Sequence, residues 1–184
     1  MPTPRSDHEL LATRVAELEA KLSTSLDEQS AMSEVLEMIA RSPSDAQPVL
    51  DAITVAAMRL VGGDAANILR ADGELLRFAS GFPTADVWPL RKPGTIVEQQ
   101  LSAHRVLKTR ESFHIYGTPE TIEAEFPDLA AMWREDGIGA AITVPILYKD
   151  ELFGILGVRR QGVSPFSEQE IALLETFAAQ AWWR

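Results

Sequence analysis

The sequence predicts an α+β domain: an antiparallel sheet of five or six strands, terminal helices on one face, short helices and loops over the other, and a coiled-coil helix ahead of it. Three observations carry that expectation. Two apolar runs meet at a charged turn in VPILYKDELFGILGVRR, as a hairpin at the centre of a sheet does. A Pro-Phe-Ser loop then leads into SEQEIALLETFAAQA, an amphipathic helix that carries its own start signal. Upstream, apolar residues recur at alternating spacings of four and three, the pattern of a coiled coil.

With 184 residues and a helical stretch of about 40 in front, there is room for one domain of about 140 residues. We divide the chain into a coiled-coil or signalling helix over residues 1–33 and a globular domain over 34–184. A hydrophobic fraction of 46% is ordinary for a chain that folds around a core. The net charge of −10 argues against a nucleic-acid partner, since phosphate binding needs a clustered basic surface. Arg105, Lys108 and Arg110 lie close together but read as a solvated face. The absence of cysteine excludes a disulfide frame, a thiolate metal site and a cysteine nucleophile. No apolar run approaches the roughly 20 residues that span a bilayer. The N-terminus lacks the basic-then-apolar order of a secretory signal. A cytoplasmic protein with no membrane contact is expected.

The first element is the stalk. In one heptad register Val15, Leu22, Gln29 and Leu36 take position a, and Leu11, Leu18, Ser25, Met32 and Ile39 take position d. This predicts a parallel homodimer whose seam is Leu11, Val15, Leu18, Leu22, Met32 and Leu36, with Arg14 at g facing Glu19 at the partner's e position. Ser25 and Gln29 interrupt the seam. Either the helix changes packing partner there, or the weak step lets the coil shift register under a signal. Ser42-Pro43 ends the helix, because a proline ring disfavours helical geometry in the residue before it.

A second helix starts near Asp45 with Pro48 in its first turn, turns Leu50, Ile53, Ala57, Leu60 and Val61 inward, and stops at Gly62-Gly63. A hairpin follows, residues 65–70 and 74–80 around Ala71-Asp72-Gly73. Residues 81–94, rich in Pro and Gly and holding Trp88, read as a covering loop. Residues 95–103 are expected as a short helix with Ile96, Val97 and Leu101 inward. ESFHIY is a strand with Phe113 and Ile115 on one face, His114 and Tyr116 on the other. Residues 119–135 are helical in composition but broken by Pro127, giving two short helices or a loop and one helix. Residues 140–147 and 151–159 form the apolar strand pair, in which Gly154 and Gly157 mark a close backbone or ligand approach. Ser167 and Glu170 make a capping box and Phe166 staples onto Ile171. The closing helix turns Ile171, Leu174, Phe177, Ala178 and Ala181 inward.

The segments ITVPILYKDELFGILGVRR and SPFSEQEIALLETFAAQA, with the approach EVLEMIARSPSDAQPVLDAI, closely resemble the GAF domain of bacterial sensor histidine kinases, a small-molecule-binding relative of the PAS fold. The resemblance covers residues 34–181. It implies a six-stranded antiparallel sheet, a ligand pocket opposite the terminal helices, and terminal helices that dimerise and signal to a C-terminal output domain. The chain departs from the family in three places. The Asn-Lys…Phe…Asp-Glu signature of cyclic-nucleotide binders has no counterpart; there is no cysteine to attach a bilin; and Gly117 stands where many kinase-type members have Asp. The chain shows no phosphoacceptor, nucleotide-binding or cyclase-like stretch and stops in AQAWWR inside an expected helix, so it is either a piece of a longer protein or a free-standing GAF protein, and Trp182 and Trp183 favour a cut or a partner-covered surface.

No enzymatic motif is present. The histidines His8, His104 and His114 have neither HExxH spacing nor paired carboxylates, and no nucleophile elbow occurs. The cofactor stays open: haem would need His104 or His114, and a lone pocket histidine is more often a hydrogen-bonding wall residue. The expected ligand wall is Trp88, Ile96, His104, Phe113, His114, Tyr116, Trp133, Ile142 and Ile146, with no metal ligand and no catalytic residue among them. Arg105 and Arg110 are candidate anchors for an anionic ligand. Two functions follow. One is a sensory module that binds a small molecule and drives a kinase or cyclase output through dimeric helices; the other is a dimerisation or interaction platform that binds nothing small.

Overall fold

The computed structural model describes residues 13–15, 47–82, 92–97, 101–148 and 151–180. The order is α1 (Gln47–Leu60), β1 (Ala65–Asp72), β2 (Leu75–Phe82), α2 (Leu101–Thr109), β3 (Phe113–Tyr116), α3 (Pro119–Glu125), α4 (Pro127–Glu135), β4 (Ala140–Tyr148), β5 (Glu151–Arg160) and α5 (Glu168–Gln180). Five strands form one antiparallel sheet in the order β2-β1-β5-β4-β3.

Strand pleating divides the core into two layers. Ala66, Ile68, Ile142, Val144, Ile146, Leu156 and Val158 face α1 and α5, where Ile53, Ala57, Leu174 and Phe177 meet them. Leu69, Ile115, Ala141 and Ile155 face the other way, under Val106, Leu129 and Trp133 from α2 and α4. The expected arrangement of terminal helices on one face and short helices on the other is therefore present.

Local chemistry explains the element ends. Gly62, at φ +59, turns the chain out of α1, and the Gly63 N–H bonds the Met58 carbonyl at 2.9 Å. The first hairpin is tighter than expected: Asp72 still pairs with Leu75, leaving Gly73-Glu74 as the loop. Gly73, at φ +63, takes the first loop position, which a type II′ turn reserves for glycine. Pro127 splits its helical stretch into α3 and α4, each starting on a proline. Thr118 caps α3. At α5 the Ser167 N–H donates to Glu170 Oε2 at 2.7 Å, and the Glu170 N–H donates to Ser167 Oγ at 3.2 Å. This is the reciprocal capping box read from the sequence.

One element differs from expectation. Residues 95–97 are extended, not helical: the Phe78 N–H bonds Thr95 O and the Val97 N–H bonds Leu76 O, both at 2.8 Å. The segment covers the outer edge of β2, and the helix begins only at Leu101. Alternation decides the side chains: Val97 is buried, whereas Ile96 is exposed.

Arg160 ties the terminal helices to the sheet. Its guanidinium donates to Val61 O at 2.6 Å and to Glu170 Oε1 at 2.7 Å, and lies 4.2 Å from the Phe166 ring. Beside it, half-buried His114 Nε2 accepts the Phe166 N–H at 3.2 Å. Burial, with the nearby Arg160 charge, pulls His114 below the ordinary histidine value of 6.5, while Glu170 opposes this. The unfolded chain therefore binds the proton more readily. Stability should be complete above about pH 6.5, fall as the pH drops towards the lowered native value, and level off below it. Urea unfolding between about pH 7.5 and 5.5 should show this slope in the native protein and a flatter one in His114→Gln.

Candidate functional site

Between the sheet and the α2–α4 layer lies a cavity of about 30 Å³, room for about two or three waters. Its floor is a row across the three central strands. Asn67 of β1 pairs with Gly157 of β5, which pairs with Thr143 of β4. Because Gly157 has no side chain, the side chain of Asn67 can lie over it. A Cβ there would lie 2.6 Å from Asn67 Oδ1. Two residues further along β5 on the same face stands Arg159, whose Nη1 donates to Asp136 Oδ2 at 2.8 Å. The remaining wall is apolar, chiefly Leu69, Ile115, Leu129, Trp133 and Ile155, with Ser102 from α2.

Asn67, Thr143 and Arg159 are 5%, 6% and 7% exposed, so the floor carries three polar side chains that are almost wholly buried. Arg159 has Asp136. The side chains of Asn67 and Thr143 make no hydrogen bond within the described residues, although both line the cavity. Buried polar groups are nearly always partnered, so this pair leaves unused hydrogen-bonding capacity in the cavity lining.

Trp133 forms the roof. It is 1% exposed and its Nε1 donates to Gly117 O at 3.0 Å. Gly117, at φ +150, would bring a Cβ within 2.9 Å of Thr121 Oγ1. A side chain at this position is therefore strained.

The structure brings only part of the expected wall together. Trp133 lines the cavity. Ile142 borders it, but its side chain belongs to the terminal-helix core, as does that of Ile146, which lies away from the cavity. Phe113 is buried on the cavity side of the sheet, in the shared apolar layer, with Arg105 4.6 Å over its ring. His114 and Tyr116 are corrections: strand alternation puts them on the opposite face from Phe113 and Ile115, His114 against Phe166 and Tyr116 out in solvent. Ile96 is also exposed, at the covered edge of β2. Half-buried His104 is not in the lining, although its neighbours Ser102 and Ala103 are. Trp88 lies outside the described residues. The cation in the lining is Arg159, not Arg105 or Arg110. Sequence reading does not single out Asn67, Thr143 or Arg159, although Asn67 and Thr143 are each a polar residue set inside an apolar strand run.

Among the described residues no group of three or more His, Asp or Glu side chains could hold a metal ion, and no helix is long and apolar enough to cross a membrane. No curated protein matches the chain. Among solved structures, it resembles the GAF domain of a phosphoenolpyruvate-protein phosphotransferase from Coxiella burnetii, at 16% identity and TM-score 0.65, over 87% of this chain and 90% of that one. It is also similar to the GAF domain of a two-component sensor histidine kinase from Bacillus halodurans, at 18% identity and TM-score 0.55, over 70% and 88%. A third likeness is the blue-light absorbing form of the PixJ GAF domain of Thermosynechococcus elongatus, at 17% identity and TM-score 0.57, over 74% and 82%. At these identities the likeness speaks for the fold. The GAF domain family model matches residues 45–184, so the chain belongs to the GAF domain family, whose members are sensory and regulatory modules of signalling proteins.

Proposed function

We propose that this protein is a cytoplasmic sensory module that binds a small molecule between its sheet and the α2–α4 layer. It passes the signal through dimeric terminal helices to a kinase- or cyclase-type output. The observation that carries this reading is the pair Asn67 and Thr143, buried, unpartnered within the described residues and lining a cavity. A core that merely filled itself would gain by replacing both with apolar residues. In this reading residues 1–33 are the dimeric stalk and 34–184 the sensing domain. Of the seam positions, Val15 lies within the described residues, and it is 52% exposed.

A second reading has its own observation. A cavity of about 30 Å³ is far smaller than the roughly 300 Å³ of a usual ligand site, which favours a platform that dimerises and binds nothing small. A thermal-shift screen with small metabolites separates the two: saturable stabilisation supports the sensor, and no response supports the platform. The stalk has an independent test. Leu22→Asp puts a charge into the seam, so sedimentation should find a folded monomer where the parent protein is a dimer. A folded dimer in that variant overturns the stalk.

A further inference from the structure

We propose that His114 is a proton-operated latch on α5: taking up a proton at Nε2 breaks its bond to Phe166 and frees the first turn of that helix. The chemistry of the bond carries this. The Phe166 N–H donates to His114 Nε2 at 3.2 Å, so that nitrogen must hold a lone pair. Neutral His114 therefore carries its proton on Nδ1. An imidazolium has a donor at both nitrogens and cannot accept, so the bond exists in one protonation state only.

The place of the bond gives it leverage. Phe166 directly precedes Ser167, the N-cap of α5, and its buried ring meets the imidazole with centroids 5.8 Å apart. Arg160 lies 4.2 Å from the same ring and joins Glu170 of the capping box to the Val61 carbonyl at the end of α1. This corner thus holds both terminal helices to the sheet. Among the described residues, the charged groups facing His114 are Arg160 from β5 and Glu170 from α5. Its own strand adds Tyr116, with rings 5.3 Å apart, and β4 adds the apolar Ala140 and Ile142. Glu175, further along α5, reaches β3 at Ser112. A proton on His114 sets a second cation beside Arg160, and both then compete for the carboxylate that closes the capping box. Burial and the Arg160 charge hold the imidazole below 6.5, against Glu170, so the latch opens on the acid side of that value. The first turn of α5 is the element that the proton biases. Only in taking α5 as a route for the signal does this rest on the reading above; its opening needs no ligand.

The test is an NMR titration of the full chain from about pH 7.5 to 5, read at the histidine ring nitrogens and the backbone amides. The ring should be the Nδ1–H tautomer at the neutral end, and the Phe166 amide should titrate with the His114 midpoint. The Glu170 and Ile171 amides bond to Ser167 in the first turn. Their protection, corrected for intrinsic exchange, should fall by up to about tenfold per pH unit across the window. Amides of β4 and β5 should keep their native shifts, so the fold is retained. His114→Gln supplies an acceptor that does not titrate, and its first turn should stay closed throughout. His114→Phe supplies none, and its first turn should be open already at neutral pH. A Phe166 amide that ignores the His114 midpoint overturns the latch, as does the parent protein's loss of protection in folded His114→Gln. The metabolite screen judges the ligand reading separately, and neither result decides the other.

Discussion

Trp133→Ala is expected to destabilise the domain by about 3–5 kcal/mol, the range for deleting a large aromatic from a packed core. Trp133 is nearly inaccessible, roofs the cavity and donates its indole N–H to Gly117 O at 3.0 Å. Truncation removes the apolar contact with the sheet and leaves a buried carbonyl without that donor. For a domain of this size the melting temperature should fall by roughly 10 °C or more. Trp133→Phe separates the two contributions. It retains much of the apolar surface and loses the hydrogen bond, so it should cost about 1–2 kcal/mol. Equal losses in the two variants would mean that the Gly117 bond, rather than the roof packing, holds α4 against the sheet.

The second large effect is a contrast between two glycines of β5. A Cβ on Gly154 would lie 2.6 Å from the Leu69 carbonyl, a fixed backbone atom of the neighbouring strand. A Cβ on Gly157 would lie at the same 2.6 Å, but from Asn67 Oδ1, the end of a side chain that can turn. Gly154→Ala should therefore open the β1–β5 ladder at a cost of about 2–3 kcal/mol. Gly157→Ala should stay within about 0.5 kcal/mol of the parent protein, helped by the lower conformational freedom of alanine in a strand. Urea midpoints of the two variants, at unchanged slope, measure the difference. The same substitution three residues away thus distinguishes a glycine held against fixed backbone from one held against a side chain that can turn.

Much of the fold was legible because local signals agreed with the tertiary arrangement. The β4–β5 hairpin, the Ser167–Glu170 box and the break at Pro127 each rest on chemistry within a few residues, and all three stand where the sequence put them. Residues 95–97 were less readable. Their partner is the edge of β2, a long-range pairing that leaves no period in three residues. The cavity was harder still, for a related reason. β4 and β5 are apolar on both faces, so alternation shows which residues share a face without showing which face is the cavity's. The side chains of Ile142 and Ile146 lie in the terminal-helix layer, and Ala141 and Thr143, one step out of phase, line the cavity. His114 and Tyr116 cannot share a wall with Phe113, because pleating turns them to the opposite face of the strand. The readable signal was the polar residue inside an apolar run. Asn67 in AANIL and Thr143 in AAITVPIL carry it; Arg159, beside Arg160 at the end of its strand, does not.

That a small molecule occupies the cavity between the sheet and the α2–α4 layer is tested most directly by native mass spectrometry of freshly purified protein, alongside Gly157→Val, which forces side chain up into that cavity from its floor. The account predicts a reproducible extra mass, or one acquired from a metabolite mixture, in the parent protein and its loss in a folded Gly157→Val. The same mass in both proteins would place the ligand elsewhere, and no mass in either would contradict the sensor reading in favour of a platform.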